Sequence, residues 1–167
     1  FPKKIGFVWG TTSWQWSEID ARVDAMACAL RMRGVTKGDR VLVQSRNCNQ
    51  LFESMFVCFR LGAVWVPTNF RQSALDTAYQ ARTSGATAII CEAKYPDHVK
   101  ESCIVMPKIN AIISIGSSKF GENYETLINE NLMQSFPLAD VNYDDPCWFF
   151  FTSGTTGRPK AAVLTHG

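Results

Sequence analysis

The sequence predicts an α/β fold in which a parallel sheet is covered by helices. Two observations carry that expectation. Segments with apolar residues at helical spacing alternate with short, continuous apolar runs, and such runs suit strands buried on both faces. A third observation is size: 167 residues lie close to one average domain and can bury a core without disulfides or metals. No internal repeat or obvious linker divides the chain.

The elements follow in order. Ser13-Trp14-Gln15-Trp16 alternates like a half-buried strand. Ser17-Glu18-Ile19-Asp20 fits a helix start, with a capping hydroxyl and acids in the first turn. Ile19, Val23, Met26, Ala27 and Leu30 form one apolar face, and Gly34 closes the helix. After the charged turn Lys37-Gly38-Asp39-Arg40 comes a strand, Val41-Leu42-Val43. Phe52, Met55, Phe56 and Phe59 mark a second helix ended by Gly62, and their spacing reads as core rather than as cofactor contacts. Ala63 to Val66 is a strand stopped by Pro67. A third helix covers Ala74 to Arg82, with Leu75, Ala78 and Tyr79 inward and Gly85 at its end. Thr87 to Cys91 is β-rich, Pro96 to Glu101 begins another helix, Ala111 to Ile115 is a further strand, and Gly116 to Glu122 is an exposed polar loop.

Composition excludes several classes of function. With 17 Lys+Arg against 15 Asp+Glu the net charge is +2, which leaves no electrostatic footprint for nucleic acid and no polybasic membrane patch. A chain that is 46% hydrophobic and 19% charged is neither disordered nor of low complexity. No apolar run approaches the roughly 20 residues of a membrane span. The start, Phe1-Pro2-Lys3-Lys4-Ile5, has no opening Met and no apolar leader, so the expectation is a piece of a longer soluble protein. The six cysteines, Cys28, Cys48, Cys58, Cys91, Cys103 and Cys147, form no C-x-x-C pair, and only His98 and His166 could join them. That pattern speaks against a metal site and for reduced, buried thiols in the cytoplasm.

The chemistry lies at the end of the chain. An apolar strand, Trp148 to Phe151, runs into Thr152-Ser153-Gly154-Thr155-Thr156-Gly157-Arg158-Pro159-Lys160. Glycines let backbone N–H groups approach a phosphate, hydroxyls donate further hydrogen bonds, and Lys160 adds a full positive charge. Each such charge-assisted bond contributes roughly 1.5–3 kcal/mol. A plain polar connection would explain Ser, Thr and Gly alone, but not four hydroxyls, two glycines and a lysine in nine residues. The loop is not a Walker A motif, because two residues rather than four separate Gly154 from Gly157, and no hydroxyl follows Lys160.

These residues resemble the phosphate-binding signature of the adenylate-forming (AMP-binding) superfamily: acyl-CoA synthetases, carrier-loading adenylation domains and luciferases. Ser17 to Leu30, Gly34-Val35-Thr36-Lys37-Gly38-Asp39-Arg40-Val41, Gly62-Ala63-Val64-Trp65-Val66-Pro67-Thr68-Asn69 and Thr165-His166 look like further segments of that family, so nearly the whole chain is covered. Ala161 stands where the family usually has Gly; were positive φ required there, it would cost about 1 kcal/mol.

The resemblance implies that residues 1–167 are the front part of a large N-terminal AMP-binding domain, with the small C-terminal domain absent. It implies an acid–thiol ligase that uses ATP, Mg2+ and coenzyme A: a carboxylic acid is converted to an acyl-adenylate and then to a thioester. Thr152, Ser153, Gly154, Thr155, Thr156 and Lys160 would hold the β- and γ-phosphates, with Gly157 and Pro159 shaping the turn. No catalytic residue and no metal ligand is expected in this portion, and the segment alone is expected to be inactive. An adenylation domain loading a carrier protein, or a non-catalytic nucleotide-binding module, are the alternatives. The identity of the acid and the oligomeric state are not written in the sequence.

Overall fold

A computed structural model describes residues 1–106, 108–152 and 157–167. An antiparallel hairpin, β1 (Ile5–Trp9) and β2 (Thr12–Gln15), precedes α1 (Trp16–Met32). Then follow β3 (Arg40–Gln44), α2 (Asn49–Leu61), β4 (Val64–Pro67), α3 (Ala74–Ser84), β5 (Ala88–Glu92), α4 (Pro96–Val105) and β6 (Ala111–Ile115). A two-residue β7 (Glu122–Asn123), α5 (Tyr124–Asn131), β8 (Pro146–Thr152) and β9 (Lys160–Thr165) complete the chain.

The main sheet has the order β7-β6-β5-β3-β4-β8-β9, and every pairing is parallel except β8 with β9. The expected strands at 41–43, 63–66 and 87–91 are the adjacent parallel strands β3, β4 and β5. Side chains alternate between faces. Val41, Val43 and Ile90 join α1, α2 and α5 in one apolar layer, whereas Leu42, Ile89 and Cys91 pack with α3 and α4 in the other. Each of α2 to α5 returns the chain so that the next strand runs parallel, and α1 adds to one layer, so both faces are covered.

Helix ends explain most boundaries. Gly62 caps α2 at φ +66°, a left-handed conformation that a side chain would strain. The first helix differs from expectation: it starts at Trp16, with Gln15 as its cap, and not at Ser17. The Gln15 N–H donates to Glu18 Oε2 at 2.6 Å. The N–H groups of Trp16 and Ser17 donate to the carbonyls of Lys4 and Pro2. Those donors therefore need no serine cap. Leu75 also departs from expectation, since it is 69% exposed. The buried stripe of α3 is Thr77, Ala78, Gln80, Ala81 and Ser84, which turns the first-turn Leu75 toward solvent.

Beside α1 lies an ion cluster. Arg22 bridges Glu53 at 2.7 Å and Glu125 at 2.8 Å, linking α1, α2 and α5. Burial opposes the charge on Arg22, but the hydrogen bonds it donates to Glu125 and Glu53 outweigh that effect and hold the guanidinium protonated. All six cysteines are free thiols. Burial in the sheet raises the Cys91 thiol to about 12, which keeps it uncharged and unreactive.

Candidate functional site

Because β3, β4, β5, β6 and β8 run in the same direction, the loops after Gln44, Pro67, Glu92, Ile115 and Thr152 all leave one edge of the sheet. Ligands of open α/β sheets bind outside this carboxyl edge. The signature loop sits there as the connection of a β-hairpin, not of a strand and a helix. Thr152 ends β8, Lys160 begins β9, and the two are register partners. Antiparallel partners lie about 4.5–5.5 Å apart at Cα, so a hydroxyl and an ammonium stem stand side by side at the mouth of the loop. Both residues are exposed. Ser153, Gly154, Thr155 and Thr156, four of the expected phosphate ligands, lie outside the described residues.

Gly157 has φ +111°, and a Cβ there would meet nothing within 4 Å, so its glycine answers to backbone conformation and not to space. Ala161 carries no such demand. It lies in β9 opposite Phe151, and no described residue other than glycine has positive φ. The penalty considered for alanine at this position therefore does not arise.

The far arm of the loop rests on α3. Tyr79 Oη donates to the carbonyl oxygen of Pro159 at 3.3 Å. The Arg158 guanidinium lies 5.2 Å from the centre of the Tyr79 ring, within cation–π range. A groove of about 370 Å³ runs along this contact, with Asp76, Arg82 and Glu101 among its walls. Sequence reasoning placed Tyr79 on the inward face of its helix and gave Arg158 no role. The available signal was an aromatic with a polar tip, which seeks a partner when half-buried.

At its base the hairpin is fixed by apolar and thiol contacts. The Trp148 ring packs edge-on against Trp65 of β4, with centroids 4.7 Å apart. The Cys147 thiol donates to the Thr165 carbonyl at 3.2 Å. His166 belongs to this end as well: its N–H donates to the Asp145 carbonyl, and its ring lies 5.9 Å from that of Phe59. The fold thus separates His166 from Lys160 by the length of β9. Among the described residues, no group of three or more His, Cys, Asp or Glu is arranged to hold a metal ion. No described helix is long and apolar enough to cross a membrane.

The molecule is thus a helix-covered, mostly parallel α/β domain whose carboxyl edge carries a hairpin loop of hydroxyls, glycines and a lysine. The chain belongs to the AMP-binding enzyme family, whose model matches residues 1–167. Over 158 residues it is 32% identical to a feruloyl-CoA synthase from an Amycolatopsis species, covering 95% of this chain and 29% of that protein. It is also 32% identical to the fatty acid–[acyl-carrier-protein] ligase MmaC of Mycobacterium marinum, over 94% of this chain and 29% of that protein. The chain therefore spans under a third of the length of these curated relatives. Among solved structures, the anthranilate CoA ligase AuaEII in complex with anthranoyl-AMP superposes with a TM-score of 0.88 at 19% identity, covering 99% of this chain and 32% of that one. That match concerns the fold alone.

Proposed function

We propose that this chain is the front part of the large domain of an acid–thiol ligase. In the first step a carboxylate oxygen attacks the α-phosphorus of ATP, the bond to the β-phosphate oxygen breaks, and pyrophosphate leaves. In the second, a thiol sulfur attacks the acyl carbon of the adenylate, its proton is lost, and AMP departs with the electron pair of the broken C–O bond. The thiol of the first reading is coenzyme A, in the cytoplasm. A carrier-protein thiol is the second reading, because a carrier-protein ligase and a CoA synthase are equally identical to this chain.

The register pair Thr152–Lys160 carries the proposal. It sets a hydroxyl and a cation at the mouth of a loop whose remaining residues are hydroxyls and glycines, which suits a polyphosphate. In this reading Thr152, Ser153, Gly154, Thr155, Thr156 and Lys160 hold the β- and γ-phosphates, and Gly157 and Pro159 set the turn. Lys160 meets the charge that grows on pyrophosphate as it leaves, so its contact strengthens in the transition state and raises the rate. Mg2+ would enter with the nucleotide, held largely by its phosphates, and no step assigned to this segment involves that ion.

The test is Lys160→Ala in an enzyme of full family length carrying this segment, with the half-reactions assayed separately. Acid-dependent pyrophosphate release should fall by ~2–4 kcal/mol, roughly 30- to 900-fold. Conversion of preformed acyl-adenylate to thioester should be nearly unchanged, since that substrate carries no pyrophosphate. Unimpaired adenylate formation would refute the assignment.

A further inference from the structure

We propose that Tyr79 is a positioning residue for the phosphate loop, acting through the Pro159 carbonyl and the Arg158 guanidinium; the proposal rests on the phosphate-binding reading of that loop. Three observations carry it. First, the carbonyl that Tyr79 Oη holds belongs to the peptide joining Pro159 to Lys160. That peptide is planar, and the proline ring fixes its own φ. Anchoring the one oxygen therefore sets the plane from which Lys160 departs.

Second, the anchor itself is rigid. Ser73 and Asp76 form a reciprocal cap at the start of α3, and Thr77, Ala78 and Ala81 bury the helix against the sheet. The backbone of Tyr79 lies between these buried residues, so the ring stands on a fixed base. Third, Arg158 lies over the same ring. One side chain thus touches two consecutive residues of the loop's far arm, while the near arm is a strand of the sheet. The loop is held at both ends, and its Lys160 end is held by a helix about 80 residues earlier in the chain.

A merely structural tyrosine would, on removal, lower the melting temperature and shift every kinetic constant together. A positioning residue separates them. In the enzyme of full family length, Tyr79→Phe keeps the ring under Arg158 and loses only the hydrogen bond. It should raise the KM for ATP or lower kcat for pyrophosphate release by about three- to tenfold. The KM for the acid, the melting temperature and thioester formation from preformed adenylate should stay unchanged. Tyr79→Ala removes both contacts and should cost more than Tyr79→Phe in the same half-reaction. Adding Arg158→Ala to Tyr79→Ala should cost less than the sum of the two single changes, as for residues of one unit.

Lys160→Ala, run alongside, keeps the two ideas apart. If Lys160→Ala slows adenylate formation as expected while Tyr79→Phe and Tyr79→Ala leave it intact, Tyr79 positions nothing and the phosphate reading stands. If the Tyr79 variants weaken both half-reactions and the fold alike, Tyr79 is packing only. If Lys160→Ala is itself without effect, the phosphate reading falls and takes this proposal with it.

Discussion

The centre of the sheet and its β8–β9 edge are built on different principles. In β3 and β5, Val41, Leu42, Val43, Ile89 and Ile90 are fully buried, sealed by helix layers on both faces. In the hairpin, Phe150 is 48% exposed and Val163 56% exposed. The centre is held by removal of apolar surface from water, at about 25 cal/mol per Å². The hairpin is joined to the centre along one side only, through β8: its pairing with β4, the half-buried Trp148, Phe149 and Phe151 packed against the two apolar layers, and the contact of the loop's far arm with α3. Stability and candidate chemistry therefore lie on separate parts of one sheet, and substitutions should divide accordingly.

The sharpest way to break the centre is Arg22→Ala. Glu53 is 2% exposed, and removing the guanidinium leaves its buried carboxylate without its ion-pair partner, a loss of about 3–5 kcal/mol measurable by denaturant unfolding. Replacing the pair together, with Arg22→Met and Glu53→Leu, should recover much of that loss, which separates the buried charge from the packing. Next comes Ile90→Ala, where the cavity left between the α-layers should cost about 2–5 kcal/mol. If either variant unfolds as late as the parent, the centre is not where the stability of this molecule resides.

A smaller effect tests the rim of the ion cluster. Burial works against ionising Glu125, but hydrogen bonds from Arg22 and Gln50 prevail and hold its carboxyl below the usual value of 4.5. A depressed carboxyl contributes stability that is complete above its unfolded value and is lost as the pH falls through the folded one. Unfolding scans across the acid range should therefore show Glu125→Gln losing less stability with falling pH than the parent. Since Glu125 is 43% exposed, screening keeps the difference under about 1 kcal/mol. The smallest effect belongs to the edge: Val163→Thr should shift stability by no more than about 0.5 kcal/mol. A large loss there would contradict the division between centre and hairpin.

Tertiary contacts redrew some of what the sequence suggested. Ser17 has the chemistry of a helix cap, yet backbone carbonyls of Pro2 and Lys4 satisfy the first turn of α1, and no local pattern announces a donor's partner a dozen residues away. Leu75 sits at helical spacing with Ala78 and Tyr79, but the helix is rotated by its contacts with the sheet, and Leu75 faces water. Strands β1 and β9 and helix α5 were not apparent, because each is short or half-exposed and its apolar pattern is correspondingly weak.

Of the candidate site, the residue types and spacing of the loop were legible, since both are local properties of the chain. So were the α/β class and the strands at 41–43, 63–66, 87–91 and 111–115: a strand buried on both faces must be written as an unbroken apolar run. Tertiary structure alone decided the order of those strands, the reversal that makes β8 and β9 a hairpin, and the pairing of Thr152 with Lys160. It alone set Tyr79 against Pro159. Such partnerships join residues up to about 80 positions apart, and they are fixed by which faces pack and which edges pair once the whole chain has closed on its core.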